Sequence, residues 1–358
     1  MTTRTLLRPT AFVDSPFGQE DKVARLAGGM NWFAAVELIC IEGHQRVSTE
    51  LAPVEGIGGR FDDDMAAQWK ALTGPRAPLQ LGERTIRLDQ PQAMGIINAT
   101  PDSFSDGGRF ADAAAAAEAG GEMAARGAAI IDVGGESTRP GARVVWEGDE
   151  IERIVPVIQQ LALGGAAVSV DTRKADVMTA AFEAGARMIN DVSALTFDQR
   201  SAEVVAASGA PIVLMHHQGA PEVMQDDPRY DDVLVEVYLW LEERIAAAQG
   251  AGIARDKILI DPGFGFGKRL ADNLELMNGL ALFHSLGCPI VIGPSRKRTI
   301  GALSGEAPVD ARLGGSIAFA LKAVEQGAQI VRVHDVFETV QALRVWRGLR
   351  DRALTPRL

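Results

Sequence analysis

Polar side chains with the potential for chemistry recur directly after short apolar segments, from residue 93 onward. Carboxylates and carboxamides accept hydrogen bonds from N–H donors, whereas lysine and arginine bind anionic oxygens. If these side chains converge, they predict a ligand with hydrogen-bond donors at one end and negative charge at the other. In chain order they are Asn98, Asp132, Asp171, Asn190 with Asp191, His216, Asp261, Ser295 with Lys297, and Arg332 with His334.

Two glycine-rich segments adjoin the first two of these positions. Residues 98–108 read NATPDSFSDGG, and residues 132–141 read DVGGESTRPG. Both contain too many turn-forming residues to continue a strand, so we expect two loops that cover a common ligand site. Gly134 and Gly135 allow the backbone to approach a ligand closely, and Arg139 offers a planar guanidinium for phosphate oxygens.

The segments that position these side chains form a repeat of a short Val- and Ile-rich run and an Ala-rich stretch of helical length. Short, fully apolar runs are typical of parallel strands buried on both faces. Eight such alternations predict an α/β fold, a (β/α)8 TIM barrel, with the polar residues at the C-terminal ends of the strands. The runs span residues 93–98, 128–133, 166–171, 186–191, 210–216, 257–261, 288–293 and 328–334.

Glycines punctuate the later repeats at the position expected for the end of a helix. A helix often ends with a residue of positive φ, which glycine adopts without strain. An open, doubly wound sheet remains an alternative arrangement of the same elements. The glycines are Gly185, Gly209, Gly252, Gly287 and Gly327.

Residues 1–84 differ from the repeats, and we interpret them as a small N-terminal extension domain, the annex, of unknown role. The annex contains a strand-like segment at residues 33–43 and an acidic segment at residues 61–74. A hairpin is predicted at residues 79–88, where it could close the lower end of the barrel. The barrel itself is assigned to residues 85–358.

The bulk composition excludes several classes of protein. The 358 residues carry a formal net charge of -11 at pH 7, which argues against nucleic acid or anionic membrane as the main partner. No stretch reaches the roughly 18 consecutive apolar residues of a membrane helix. Cys40 and Cys288 lie far apart without Cys or His neighbours, so we expect two buried thiols and no disulfide or zinc site. The expected compartment is the cytoplasm.

Eight segments of the chain resemble the characteristic segments of dihydropteroate synthases, in the order found in that family. The resemblance covers residues 85–350, and eight segments in register are far more specific than one glycine-rich loop. Pro294 departs from the family pattern beside Lys297. The segments are residues 98–108, 132–141, 170–172, 189–191, 215–219, 261–268, 295–297 and 332–336.

The resemblance implies a role for individual residues of the site. Asp132, Asp171, Lys297, Arg332 and His334 are implied to be catalytic. The pterin site is implied to comprise Asp132, Asp171, Asn190, Asp261 and Lys297. The diphosphate site would comprise Asn98, Arg139, Arg332 and His334, with Asn98 as a ligand of Mg²⁺, and the 4-aminobenzoate pocket would comprise Phe104, Thr138, Pro140, Phe266 and Ser295.

The implied reaction joins (7,8-dihydropterin-6-yl)methyl diphosphate to 4-aminobenzoate and releases pyrophosphate, a step of folate biosynthesis. The same resemblance implies a homodimer and a target of sulfonamides. One alternative is a pterin-dependent methyltransferase barrel, although such an enzyme has no use for Arg332, His334 and the Ser-Thr-Arg-Pro loop. A second alternative is a non-catalytic pterin-binding or scaffold protein, although none of the matching polar positions is lost.

Overall fold

The computed structural model describes residues 3–99, 108–137, 144–219 and 228–356. The N-terminal part is an antiparallel sheet of four strands. These are β1 (Thr3–Val13), β2 (Ala24–Arg25), β3 (Trp32–Glu42) and β4 (Gln45–Pro53). β3 is the central strand, because β1 pairs with one of its edges and β2 and β4 pair with the other.

A helix and a hairpin connect this sheet to the barrel. Helix α1 (Asp63–Thr73) begins where the side chain of Asp62 accepts a hydrogen bond from the backbone N–H of Met65 at 2.8 Å. This bond satisfies one of the free N–H groups of the first helical turn. The hairpin consists of β5 (Leu79–Leu81) and β6 (Arg84–Ile86), and it lies within the predicted range.

Eight parallel strands form the barrel, which confirms the predicted fold class. They are β7 (Gln92–Asn98), β8 (Ile130–Gly134), β9 (Val168–Asp171), β10 (Met188–Asp191), β11 (Ile212–Met215), β12 (Ile258–Asp261), β13 (Val291–Ile292) and β14 (Ile330–Val333). The strand order is β12-β11-β10-β9-β8-β7-β14-β13. A parallel bridge between Ile260 and Ile290 closes the ring, so an open sheet is excluded.

Helices alternate with these strands along the chain. Gly185 and Gly209, both with positive φ, end two of them in the left-handed conformation predicted from the sequence. The helices are α2 (Gly108–Ala125), α3 (Glu147–Leu163), α4 (Ala175–Ala184), α5 (Ser201–Ser208), α6 (Val233–Gly250), α7 (Leu270–Asn278), α8 (Arg298–Leu303), α9 (Leu313–Glu325) and α10 (Val336–Ala353).

The lower interior of the barrel is a closed apolar layer. Seven strands contribute one residue each and Ala167 directly precedes β9, and the hairpin β5–β6 with Leu88 packs against them from below, as expected for a plug. Because side chains alternate along a strand, the next inward position lies one step closer to the mouth, and there several polar residues occur. The layer consists of Met94, Ile130, Ala167, Met188, Val213, Leu259, Val291 and Ile330, with Leu79, Leu81, Ile86 and Leu88 from the hairpin segment.

The annex sheet packs between α1 and the barrel. Leu7, Phe33 and Val36 share a buried cluster with Met65 and Leu72 of α1. On the other side, Leu6, Ile39 and Ile41 belong to the main buried cluster, together with Tyr238 of α6 and Phe283. The expectation for the thiols is correct for Cys288 and wrong for Cys40, which lies in β3 outside both clusters and is only half-buried. No helix among the described residues is long and apolar enough to cross a membrane.

Candidate active site

Side chains from β8, β9, β10 and β14 form one hydrogen-bonded cluster at the mouth of the barrel. Nδ2 of Asn190 donates to Oδ2 of Asp132 at 3.0 Å. Nε of Arg332 donates to the same oxygen at 2.6 Å, and Nη2 of Arg332 donates to Oδ2 of Asp171 at 2.7 Å. The structure therefore brings together four of the predicted site residues and shows that Arg332 holds both carboxylates in place.

Each carboxylate of this cluster keeps one oxygen that has no hydrogen-bond partner within the described residues. These atoms are Oδ1 of Asp132 and Oδ1 of Asp171, and both are inaccessible to solvent. Burial raises the pKa of Asp171 to about 7, an effect that Arg332 opposes and Asp132 increases. A buried acceptor without a partner is costly unless a ligand or water completes it. The cluster is thus suited to a ligand that carries N–H donors.

Asp261 ends β12, and its carboxylate is also buried. The backbone N–H of Gly263 donates to its Oδ1 at 2.7 Å. Burial raises the pKa of Asp261 to about 6, while the bond from Gly263 and the charges of Lys297, Lys268 and Arg332 act in the opposite direction. The third acidic group of the mouth is therefore held by backbone and surrounded by cations.

Lys297 lies at the start of α8, and its ammonium group is 4.0 Å from the centre of the Phe266 ring. This distance is within the range of a cation–π contact. Arg296 has a φ of 56° between Ser295 and Lys297, and it forms an ion pair with Asp335. The left-handed residue turns the chain sharply between two predicted site residues.

Ser295 and His334 are in direct contact. Oγ of Ser295 lies 3.1 Å from Nδ1 of His334 and accepts a hydrogen bond from the backbone N–H of His334 at 3.3 Å. Burial and the nearby charge of Arg332 lower the pKa of His334 to about 4, so its imidazole is neutral at pH 7. A neutral imidazole can donate one N–H to an anionic oxygen. The contact joins a residue predicted for aminobenzoate to one predicted for diphosphate.

Asn98 ends β7 opposite Gly134 of β8, and its side chain is half-buried. Among the described residues, no group of three or more His, Cys, Asp or Glu side chains could hold a metal ion. One carboxamide oxygen fits Mg²⁺ only if the ion takes its other ligands from a bound diphosphate and water, which is how Mg²⁺ is often held. The donor set at this position is compatible with such an ion.

Four predicted site residues lie outside the described part of the chain, namely Phe104, Thr138, Arg139 and Pro140. Their implied roles in aminobenzoate and diphosphate binding stay predictions. Three of them belong to the segment that follows β8. The described chain reaches Ser137, three residues after the end of β8 at Gly134, and continues from Val144.

Sequence reasoning assigned no role to Lys268, although it ends a segment that carries the family resemblance. It is buried, and its ammonium group lies 2.9 Å from Nδ1 of His216. The same group donates to the carbonyls of Gly263 at 3.0 Å and of Phe266 at 3.1 Å. Burial lowers the pKa of Lys268 to about 7 and also lowers the pKa of His216. The sequence feature that could have indicated this role is a lysine directly after Gly265-Phe266-Gly267.

A buried ion network behind the mouth was also missed. Lys174 forms ion pairs with Glu136 and with Glu150, the latter at 2.6 Å, and donates to the carbonyl of Val145 at 2.7 Å. Arg173 pairs with Glu136 at 2.8 Å. This network connects the residues after β8 and β9 to the start of α3. Its only sequence signal was two consecutive cations directly after Asp171 and Thr172.

Comparison with known proteins supports the resemblance seen in the motifs. The family model described as pterin binding enzyme matches residues 94–334. Dihydropteroate synthase of Escherichia coli strain K12 is 47% identical over 262 residues, 73% of this chain and 92% of that protein. The structure of Xanthomonas albilineans dihydropteroate synthase with 4-aminobenzoic acid has a TM-score of 0.73 and 48% identity, over 77% of this chain and 98% of that one. The same organism's enzyme in complex with 7,8-dihydropteroate has a TM-score of 0.69 and 44% identity, over 76% and 98% of the two chains.

The matched region is the barrel that carries the clustered polar residues. The alignments cover 92% and 98% of the two relatives named first. The chain therefore matches these enzymes over nearly their whole length and not only over a fragment. The methyltransferase and scaffold alternatives are set aside, because these relatives are named dihydropteroate synthases. The chain belongs to the dihydropteroate synthase family, transferases that join a dihydropterin-methyl group to 4-aminobenzoate in folate biosynthesis.

Proposed function

We propose that the mouth of this barrel binds the pterin edge of (7,8-dihydropterin-6-yl)methyl diphosphate through Asp132, Asp171, Asn190, Asp261 and Lys297. The observation that carries the proposal is the pair of buried, unpartnered oxygens, Oδ1 of Asp132 and Oδ1 of Asp171. A pterin offers a 2-amino group and ring N–H donors along one edge, and these donors match such acceptors. Lys297 would donate to the ring carbonyl and N5 side.

The diphosphate end of the substrate is assigned to Asn98, Arg139, Arg332 and His334. His334 supports this role because its lowered pKa leaves a neutral ring beside the cation Arg332. Mg²⁺ bound to Asn98 and the diphosphate would supply charge neutralisation of the leaving group. Arg332 would contribute to both ends of the substrate. Its Nε and Nη2 hold Asp132 and Asp171 of the pterin site, and its positive charge would face the diphosphate.

The 4-aminobenzoate pocket is assigned to Phe266 and Ser295 among the described residues, with Phe104, Thr138 and Pro140. Phe266 presents an aromatic face beside Lys297, and Ser295 presents a hydroxyl beside His334. The relative from Xanthomonas albilineans was solved with 4-aminobenzoic acid, which supports a site for this ligand in the family. Phe266 also links the two pockets, because its ring contacts a residue assigned to the pterin.

The chemistry that follows is a displacement at the methylene carbon attached to pterin C6. The bond from this carbon to the diphosphate oxygen breaks, the amine nitrogen of 4-aminobenzoate forms a bond to the carbon, and the amine loses one proton. No protein nucleophile is required. Asp132, Asp171 and Asp261 would favour positive charge that develops on the pterin-methylene group, since preorganised charges stabilise such a state in a buried site.

A homodimer, a cytoplasmic location and inhibition by sulfonamides remain proposals that rest on the family resemblance and the sequence. Size-exclusion chromatography with light scattering would measure the mass of the assembly directly. A monomer at micromolar concentration would contradict the dimer without affecting the assigned reaction.

The assigned site is tested by Lys297→Ala. We expect this variant to retain the fold, because Lys297 is half-buried on a loop, and to lose about 100-fold or more in kcat/KM, because misplacing a bound substrate is costly. Pyrophosphate release would be followed with the dihydropterin diphosphate and 4-aminobenzoate as substrates. Lys70→Met, an exposed lysine of the annex, is the matched control and should keep native activity. Native kcat/KM in Lys297→Ala would exclude this residue from the site.

A further inference from the structure

The ammonium group of Lys268 is the centre of a hydrogen-bonded loop that the proposed function does not use. It contacts Nδ1 of His216 and the carbonyl oxygens of Gly263 and Phe266, all between 2.9 and 3.1 Å. An ammonium group has three N–H donors, so these contacts use its full capacity. The side chain is 3% exposed. Two of these acceptors lie on the loop that follows β12, and the third, His216, lies at the end of β11, so the buried cation joins the loop to the neighbouring strand end.

The loop itself packs against the end of β11 with almost no free space. A Cβ atom on Gly263 would lie 1.8 Å from the carbonyl oxygen of His216, and one on Gly267 would lie 2.4 Å from that of Gln218. Both glycines have positive φ. The loop lies directly against the chain at the end of β11, and only glycine fits at these two positions. Lys268 binds the loop from its buried side.

Two contacts pass from this loop to residues of the mouth. The backbone N–H of Gly263, whose carbonyl Lys268 holds, donates to Oδ1 of Asp261. The ring of Phe266, whose carbonyl Lys268 also holds, lies 4.0 Å from the ammonium group of Lys297. One buried lysine thus holds the carbonyls of two residues, of which one contacts an acidic site residue and the other a basic one.

We propose that Lys268 is a positioning residue of the pterin site, which sets the Asp261 carboxylate through Gly263 and the Lys297 ammonium through Phe266. The inference rests on the proposed function, because it takes Asp261 and Lys297 as pterin ligands. Lys268 itself touches no substrate in this scheme. Lys268, the loop that it binds and His216 form one positioning unit, since Nδ1 of His216 faces the third donor of the ammonium group.

The charge of Lys268 gives the unit a second effect. Lys268, Lys297 and Arg332 are the cations that act on Asp261, and each lowers the pKa of that carboxyl against the effect of burial. On the other side, Asp261 and Asp272 stabilise the charged form of Lys268, whereas Lys297 disfavours it. Removing the charge of Lys268 should therefore raise the pKa of Asp261 further.

The test compares Lys268→Met, which keeps the volume and removes the donors and the charge, with Lys268→Arg, which keeps a charge and donors. Binding of 6-hydroxymethyl-7,8-dihydropterin, a probe without diphosphate, would be measured by calorimetry between about pH 5 and pH 8. We expect Lys268→Met to lose about 10- to 100-fold in affinity, because displaced ligand groups are costly. We also expect its loss of binding toward acid to begin at a higher pH than in the wild type, because Asp261 is protonated earlier. Lys268→Arg should recover part of the affinity and the native pH dependence.

His216 offers a second pair of variants if Lys268→Met does not fold. His216→Asn places a carboxamide oxygen near the position of Nδ1 and keeps an acceptor for Lys268, whereas His216→Leu removes it. We expect weaker pterin binding in the leucine variant than in the asparagine variant. Equal affinity in these two variants, or native affinity with an unshifted pH dependence in Lys268→Met, would overturn the inference.

Asp261→Asn and Lys297→Ala separate this inference from the proposed site. If both variants bind the pterin probe like the wild type, the assignment of the site is wrong and the positioning role fails with it. If both lose affinity while Lys268→Met does not, the site stands and only the role of Lys268 is wrong.

Discussion

The mouth of the barrel places three buried carboxylates around Arg332. Their negative charges destabilise the folded protein as long as no substrate is bound. Two of the guanidinium nitrogens are bonded to Asp132 and Asp171. One cation shared by two carboxylates offsets the desolvation of only part of their charge. The raised pKa of Asp171 is the visible result. Sites arranged for function are commonly less stable than a neutral core at the same position.

Asp171→Asn should therefore stabilise the ligand-free protein while it slows synthesis. The folded-state pKa of Asp171, about 7, lies above the ordinary value of 3.8, so the folded protein binds a proton more readily than the unfolded chain. Stability consequently falls as the pH rises from about 4 to about 7, and the asparagine variant does not share this loss. The advantage of Asp171→Asn should grow by on the order of 2–3 kcal/mol between pH 5 and pH 8, at 1.36 kcal/mol per pKa unit.

Urea unfolding of both proteins at pH 5 and pH 8 measures this difference. The activity of the variant, measured in parallel, should fall because a carboxamide offers one acceptor oxygen where a carboxylate offers two. A stability difference that is the same at both pH values would contradict the raised pKa. An unchanged reaction rate would contradict the role of Asp171 in the site.

The sequence was sufficient to predict which residues meet at the mouth, and insufficient to predict how they pair. Asp132, Asp171 and Asn190 follow from polar residues at the ends of apolar runs, because parallel strands bring their C-terminal ends to one side. The double use of Arg332 and the depth of Lys268 depend on side-chain direction and on loop packing. Neither property is encoded in the spacing of residues along one strand.

At the scale of elements, the ion network around Lys174 holds together segments that are distant in the chain. Lys174 precedes α4, Glu150 lies in the first turn of α3, and Glu136 follows β8. Burial raises the pKa of Glu150, and Lys174 opposes this effect. Two carboxylates and two cations are thus buried together. The network fixes Glu136 and Val145, which flank a segment assigned to the substrate.

Lys174→Met should destabilise the protein by about 3–5 kcal/mol, the usual cost of leaving a buried charge without its partner. Glu136 would keep Arg173, but Glu150 would lose its ion-pair partner among the described residues. Chemical denaturation at neutral pH measures this loss, with the exposed Lys70→Met as the control for removal of a lysine charge. The destabilisation should be smaller at acidic pH, where Glu150 is protonated. An effect no larger than that of the control would show that the network contributes little.

The annex shows where the sequence pattern was least informative. β3 was predicted because most of its residues are apolar, in keeping with its central position in the sheet. β1 and β4 were not predicted, since β1 mixes polar and apolar residues and nearly all of β4 is exposed. Helix α1 was recognised only as an acidic segment. β4 buries little surface and so leaves a weak hydrophobic pattern, whereas β1 buries Leu6 and Leu7 on opposite faces and so shows neither alternation nor a long apolar run.

At the scale of the whole molecule, the annex is joined to the side of the barrel by apolar and polar contacts. Leu6 and Ile39 share the main core with the barrel. Arg4 forms an ion pair with Glu242 of α6 at 2.6 Å, and Arg350 of α10 donates to the carbonyl of Met30 at 2.8 Å. None of these residues belongs to the proposed site. The annex therefore contributes to stability through the outer helices and leaves the mouth to the barrel.

Deleting the residues before Leu79 should leave an active barrel of lower stability. The floor of the barrel stays closed, because Leu79, Leu81, Ile86 and Leu88 remain in place. The deletion also keeps all of residues 94–334, which the pterin binding enzyme family model matches. The cost arises where Tyr238 and Phe283 lose their cover, since each large apolar side chain returned to water costs about 1.5–3 kcal/mol.

A second deletion, which removes all residues before Asp89, is the matched comparison. It also removes the hairpin and Leu88, so it opens the apolar floor of the barrel to water, and we expect this shorter chain not to fold. The first deletion should show native kcat/KM for both substrates at low temperature, together with a lower melting temperature. A folded but inactive product of the first deletion would show that the annex completes the site, and equal behaviour of the two deletions would show that the hairpin does not close the barrel.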